Sequence, residues 1–229
     1  MKIAIIPARG GSKRIPGKNI REFLGIPIIA YSIKAAINSG IFDEVMVSTD
    51  SDEIVGIAKK YGAAVPFMRS EKTSDDYATT SDVLHEVISE YKKHGKSFEW
   101  LCCSYPTAPF ISAEKLRSAY KTLKKSAADA LIPVVPFSFP PLRGMIIENE
   151  LVKMKWPENQ SIRAQDLGTM YHDSGQFYFV RTSAFLRENT LFCKKTIPMI
   201  LSELEVQDID NETDWKLAEL KYKLMIEQG

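Results

Sequence analysis

Apolar and polar positions follow two rhythms along this chain. Short runs rich in β-branched and aliphatic residues read as strands: KIAII at 2–6, EVMVST at 44–49, AVPFM at 64–68, FEWLCC at 98–103, ALIPVV at 130–135, QFYFVR at 176–181 and TIPMIL at 196–201. Several are continuous enough for a sheet covered on both faces. Between them, apolar residues three and four apart predict helices near 27–39, 52–61, 81–94, 112–125 and 212–227. Pro27 stands at the start of the first, Ser81 and Ser112 are cap candidates for the third and fourth, and Gly95 follows the third. Strands and helices taking turns predict an α/β fold with a mostly parallel sheet flanked by helices.

The segment 137–172 breaks this rhythm. It opens with the proline-rich PFSFPPLRGM, continues as a hairpin turning at Glu148 to Glu150, and ends without clear periodicity. No linker or low-complexity tract surrounds it, so it reads as an insertion in one domain spanning 1–229.

Composition narrows the function classes. A chain of 229 residues with a formal net charge of +1 is long enough for one sizeable core, and too nearly neutral for a general nucleic-acid binder. No apolar stretch approaches the roughly 18 residues of a membrane span, and MKIAIIPARG lacks the pattern of a signal peptide. A cytoplasmic protein with no membrane partner is expected. The three cysteines, two of them adjacent at 102 and 103, form neither a disulfide framework nor a metal pair and are expected to be reduced core residues. His85 and His94 fall on a predicted helix and are expected to be structural or exposed.

Against this neutral background one loop stands out. Arg9, Lys13, Arg14, Lys18 and Arg21 all precede the first acidic residue, Glu22. Such a run alone would be an ordinary solvated face. After the first strand of a parallel sheet it sits where anions bind. Gly10 and Gly11 permit positive φ and close approach of backbone N–H groups, and Arg9, Lys13 and Lys18 can each supply a charge-assisted hydrogen bond of about 1.5–3 kcal/mol. A triphosphate suits such a loop. Neither common glycine signature is present: Ser12 stands where a P-loop needs its first glycine, Asn19 follows Lys18 where it needs Ser or Thr, and no three glycines have the dinucleotide spacing.

Near the C-terminal end, Asp208 and Asp210 lie two apart before a predicted helix, where alternate side chains share a face and two carboxylates can meet one magnesium ion. The competing reading is helix capping by Asp210 or Asn211, with Asp214 in the first turn. Thr80, beside Ser81, is likewise open to a capping role.

Six motifs in order resemble the CMP-sialic acid synthetase family, the cytidylyltransferases that activate nine-carbon acidic sugars, including its pseudaminic and legionaminic acid branches. They are PARGGSKRIPGKN at 7–19, VSTDSDEI at 47–54, SDDYATTSDV at 74–83, YPTAPF at 105–110, YHDSGQFYF at 171–179 and DIDNETDW at 208–215. The resemblance implies a Rossmann-like fold of the nucleotide-diphospho-sugar transferase type, with CMP passing from CTP to a nonulosonic acid and pyrophosphate released. It implies nucleotide contacts from Ala8, Arg9, Gly10, Gly11, Ser12, Lys13, Lys18, Asn19, Arg69 and Thr80, of which Arg9, Lys13 and Lys18 act in catalysis. It further implies a sugar site at Tyr105, Arg143, Arg163, His172 and Ser174, Mg²⁺ on Asp208 and Asp210, and a homodimer paired through the insertion. For Tyr105 core packing, and for the two arginines a surface role, are the alternatives. His172-Asp173-Ser174-Gly175 stands where the sialic acid enzymes carry R-P-N-G, and Tyr105 where they tend to place glutamine. Both departures resemble the pseudaminic acid branch. N-acetylneuraminic or legionaminic acid as substrate, a GT-A-like glycosyltransferase and a non-catalytic nucleotide-binding regulator are the other readings.

Overall fold

The computed structural model describes residues 1–12 and 14–227. In chain order the elements are β1 (Lys2–Pro7), β2 (Glu22–Phe23), β3 (Ile26–Pro27), α1 (Ile29–Ser39), β4 (Glu44–Ser48), α2 (Asp52–Lys60), α3 (Glu71–Ser74), α4 (Thr80–Lys93), β5 (Trp100–Ser104), α5 (Ala113–Lys125), β6 (Ala130–Pro136), β7 (Met145–Glu148), β8 (Leu151–Met154), β9 (Tyr171–Asp173), β10 (Phe177–Arg181), α6 (Thr182–Glu188), β11 (Thr196–Ile200) and α7 (Glu212–Glu227). The main sheet runs β11-β6-β10-β5-β1-β4, with β9 added on β6. Strands β4, β1, β5, β6 and β11 point one way, while β10 lies antiparallel between β5 and β6. The sheet is therefore mixed and mostly parallel. β9 and β10 are two antiparallel segments on β6, broken by a turn at Gly175, whose φ is +63°.

Successive side chains of these strands enter opposite faces, both covered. Ile3, Ile5, Leu101, Cys103, Tyr178 and Val180 lie in one buried cluster, and Ala4, Trp100, Cys102, Leu131, Phe177 and Phe179 in the other. The adjacent cysteines thus serve different faces, both fully buried and unbonded, and burial pushes both thiols well above their usual range. His85 packs on the Phe185 ring and bonds Asn189, while His94 Nδ1 meets the Glu90 carbonyl. No helix of the described residues is long and apolar enough to cross a membrane.

Several sequence expectations are corrected. Residues 64–68 form no strand and make only one bridge, Met46 to Ala64, because Pro66 offers no N–H to carry the ladder on. Pro27 ends β3 rather than opening α1, which begins at Ile29. The cap of α4 is Thr79, in a reciprocal box with Asp82, and Ser81 lies inside the helix. Helix α6 has too few residues to show periodicity. Ser112 caps α5 as expected, accepting from Lys115 N at 3.2 Å. In the insertion β7 and β8 form the expected hairpin, turning through Asn149 and Glu150 with φ near +50° and +64°. Met145, Ile147, Leu151 and Val152 of this hairpin are exposed.

Candidate active site

The carboxyl ends of β1, β4, β5 and β6 reach one edge of the sheet, and the segments leaving them build two adjoining clefts. The basic loop leaves β1, and a fully buried apolar residue pins it to the core. Ile15 is fully buried with Phe23, Ile209 and Trp215, a burial worth about 1.5–3 kcal/mol. Arg21 stacks on the Trp215 ring at 4.5 Å and donates to Glu212 from both terminal nitrogens, at 2.5 and 3.0 Å. This basic residue is an anchor for the loop. Asn19 Nδ2 donates to the Arg9 carbonyl at 2.9 Å, and Gly10 N donates to Asp50 Oδ1 at 2.8 Å.

The expected use of positive φ at Gly10 and Gly11 is not found; in this loop it is Gly17 that takes φ +61°. Gly10 is required for closeness instead, since a Cβ there would meet the Ser51 Cβ at 3.1 Å, whereas at Gly11 the space is open.

The first cleft, about 510 Å³, is lined by Arg9, Ser12, Lys18, Asn19, Arg69 and Thr80 from the expected set. Ala8 is buried in the core, Gly10 and Gly11 are exposed outside the lining, and Lys13 lies outside the described residues. Arg14, Thr73, Asp75, Asp76, Thr79 and Thr107 also line it; none lay in a motif position that pointed to them individually. Arg69 is only 8% exposed, and it donates from Nε to Ser48 Oγ at 3.1 Å and from NH2 to the Ser48 carbonyl at 2.5 Å. Burial lowers its pKa against the pull of Asp50 and Glu86. Thr80, spared from capping by Thr79, meets the Tyr105 hydroxyl at 3.3 Å.

The loop's cations face carboxylates and carbonyls here. Arg9 donates to the Asp75 carbonyl and the Asp76 carboxylate, both at 2.9 Å. Arg14 lies 2.7 Å from the Asp210 carboxylate. Lys18 Nζ donates to the Ile209 carbonyl at 2.6 Å and lies 3.7 Å from Asp210. Burial lowers the Lys18 pKa, and the opposite pull of Asp210 does not restore it.

The second cleft, about 600 Å³, contains Tyr105, His172 and Ser174 from the expected sugar set, together with Asp173, Tyr178, Asp208 and Lys221. Tyr105 and Thr107 belong to both linings, so they form the wall between the clefts. Burial raises the pKa of Tyr105, so its hydroxyl keeps its proton at neutral pH. Arg143 and Arg163 are exposed on the insertion outside both linings, Arg163 paired with Asp166 at 2.7 Å. The structure of one chain does not bring them to the other sugar candidates.

Between the clefts lies the acidic pair. Asp208 is exposed, Ile209 buried and Asp210 intermediate, so the two carboxylates share the outer side of an extended strap pinned by Ile209. The capping of α7 falls to other residues: Asn211 Oδ1 accepts from Thr213 N and Asp214 N, and Asp214 Oδ2 accepts from Asp210 N and Asn211 N. Among the described residues no group of three metal-type side chains exists. Two oxygen donors beside a cleft lined by Arg9, Arg14 and Lys18 suit magnesium, which is usually held by one or two carboxylates plus substrate phosphates and water.

Comparison with known proteins supplies the family. The cytidylyltransferase family profile matches residues 3–226. The pseudaminic acid cytidylyltransferase of Campylobacter jejuni is 41% identical over 223 residues, covering 97% of this chain and 96% of the relative. The CMP-N,N'-diacetyllegionaminic acid synthase of Legionella pneumophila is 35% identical, covering 95% and 94%. Among solved structures, CMP:2-keto-3-deoxy-manno-octonic acid synthetase complexed with CTP superposes with a TM-score of 0.70 over 99% of both chains at 16% identity, a likeness of fold. With a basic loop at the end of β1, a strap of two aspartates and a match over nearly its whole length, the chain belongs to the cytidylyltransferase family of CTP-dependent nucleotidyltransferases.

Proposed function

We propose that this enzyme transfers CMP from CTP to a nonulosonic acid, with pseudaminic acid preferred, giving the CMP-sugar and pyrophosphate. The observation that carries the reading is the pair of clefts divided by Tyr105 and Thr107. One has a basic floor for phosphates. The other carries His172 and Ser174 in place of an arginine motif, and a relative 41% identical is named for pseudaminic acid.

Arg9 and Lys18, with Lys13 outside the described residues, take the β- and γ-phosphates. Asn19, Arg69 and Thr80 border the base. The acceptor lies along Tyr105, His172 and Ser174. Its anomeric hydroxyl oxygen forms a bond to the α-phosphorus and gives up its proton to water as the bond from that phosphorus to the pyrophosphate oxygen breaks in line. Most of the catalysis is positioning plus charge held where the leaving group develops it. Asp208 and Asp210 would hold Mg²⁺, which when bound neutralises charge on the phosphate oxygens.

Among the described residues lining the sugar cleft, Lys221 is the only lysine or arginine, and its ammonium is already bonded to the Glu203 and Val206 carbonyls. A sugar acid needs a cationic partner for its carboxylate. The exposed apolar hairpin and the outlying Arg143 and Arg163 support a homodimer in which the insertion brings those arginines to the neighbouring cleft.

The test is a panel of acidic sugars with CTP and Mg²⁺, scored by pyrophosphate release. Pseudaminic acid is expected to exceed N-acetylneuraminic and diacetyllegionaminic acid by about tenfold in kcat/KM, or about 1.4 kcal/mol. Equal efficiency refutes the sugar assignment. Absence of pyrophosphate with every acid returns the glycosyltransferase and regulator readings.

A further inference from the structure

The sugar cleft holds a carboxylate for which the proposed reaction has no use. Asp173 ends β9 and is exposed to the cleft, yet it is fixed on both oxygens. Tyr178, fully buried behind it, donates its hydroxyl to Oδ2 at 2.5 Å, and Gly175 N donates to Oδ1 at 3.1 Å. The Tyr178 ring is itself held edge-on by Tyr105 at 5.4 Å between centroids. Beside Asp173, the Ser174 hydroxyl is buried without a hydrogen-bond partner among the described residues.

The chemistry of such a group is restrictive. An ionised carboxylate accepts and never donates, and each oxygen keeps a lone pair beyond the bonds that pin it. A hydroxyl, which donates and accepts, can be met by many neutral side chains. An amide N–H only donates, and its complement is a group that only accepts. The same charge repels the acceptor's own carboxylate, so it also sets which end of the substrate faces β9.

We propose that Asp173 is a specificity-determining residue that accepts a hydrogen bond from a ring acylamino N–H of the sugar acid, with Tyr178 as its positioning residue. This inference rests on the sugar-activating function proposed above. A substrate with acylamino groups is selected over one with ester groups at the same place, since losing the N–H leaves a fixed carboxylate facing an oxygen that cannot donate.

The experiment compares wild type, Asp173→Asn and Tyr178→Phe with pseudaminic acid and with its analogue carrying O-acyl esters in place of the amides. For Asp173→Asn, the sugar KM is expected to rise about tenfold while the KM for CTP and the melting temperature stay near wild type. Tyr178→Phe is expected to raise the sugar KM less, by about threefold, with kcat nearly unchanged. Wild type is expected to disfavour the ester analogue by about tenfold, and Asp173→Asn to treat both sugars alike. An unchanged sugar KM, a parallel rise in both KM values, or equal use of amide and ester by wild type overturns the inference. The ester comparison needs no variant, so a misfolded Asp173→Asn leaves it decisive. Wild type inactive on every acylamino acid overturns the functional reading first, and this inference with it.

Discussion

Replacing Lys18 by methionine separates what this residue does for the fold from what it does for the substrate. Its side chain is 17% exposed, donates to the Ile209 carbonyl at 2.6 Å and sits 3.7 Å from Asp210. At an effective dielectric near 20 that ion pair is worth about 4 kcal/mol before solvation is counted. The lowered pKa says that burial outweighs the attraction, so the ammonium is worse placed here than in water. Methionine keeps the packing and loses a bond of about 1.5–3 kcal/mol, while the desolvation penalty disappears with the charge. The two terms nearly offset, and a stability change within about 1 kcal/mol, or roughly 2–4 °C in Tm, is expected. A triphosphate, by contrast, adds negative charge that Asp210 alone does not supply, so turnover should fall about 100-fold in the variant, corresponding to roughly 3 kcal/mol in the transition state.

A pH series adds a second signature. Because the folded pKa is depressed, the unfolded chain holds this proton more tightly, so this residue makes stability rise with pH between the lowered value and the ordinary lysine range. CTP affinity should fall across the same window as the ammonium is lost. Both slopes should vanish in the methionine variant. Calorimetry for stability and pyrophosphate release for activity make the comparison. A variant that loses more than about 3 kcal/mol of stability yet keeps turnover within about threefold would show that Lys18 is a structural tether and sink the phosphate role.

Asp208→Asn and Asp210→Asn should each raise the Mg²⁺ concentration for half-maximal activity, whereas Asn211→Ala should cost about 1 kcal/mol of stability with metal dependence unchanged, because Asn211 carries the cap; metal titrations of initial rate decide. Ile15→Ala should destabilise by about 2–4 kcal/mol and Ile15→Val by about 1 kcal/mol in chemical denaturation, and an exposed-site response to either would contradict the buried pin. His172→Arg should lower pseudaminic acid turnover in the pyrophosphate assay without creating sialic acid activity, since specificity needs several contacts together; full retention of turnover would remove His172 from the sugar site.

The sequence pattern was a good guide wherever local periodicity decides structure. Long helices such as α5 and α7 and central strands such as β1 and β5 carry their own signal in spacing. The antiparallel placement of β10 between β5 and β6 does not, because its side-chain pattern is the same whichever way its neighbours run. Proline misled twice: Pro66 cut short a strand that composition favoured, and Pro27 closed a small strand instead of starting a helix. At the site, charge density marked the loop, but not which cations face the cleft. Arg21 turns out to hold Trp215 and Glu212, and Asp76 meets Arg9 across 67 residues of sequence. Asp173 was overlooked inside a motif read for its neighbours, since only the fold shows Tyr178 behind it.

The bond from Lys18 to the Ile209 carbonyl joins positions 191 apart, and Ile15 packs against that same Ile209. The basic loop is thus translated early and stays without its lid until residue 209 has been made. The strands of the main sheet are all made before then, β1, β4 and β5 by Ser104 and the last, β11, by Ile200. Between Ser104 and Ile209, a little under half of the chain, a nascent protein therefore has these first strands complete while its basic loop still lacks the Ile209 contacts. The late aspartate strap ends that state as well as completing the enzyme.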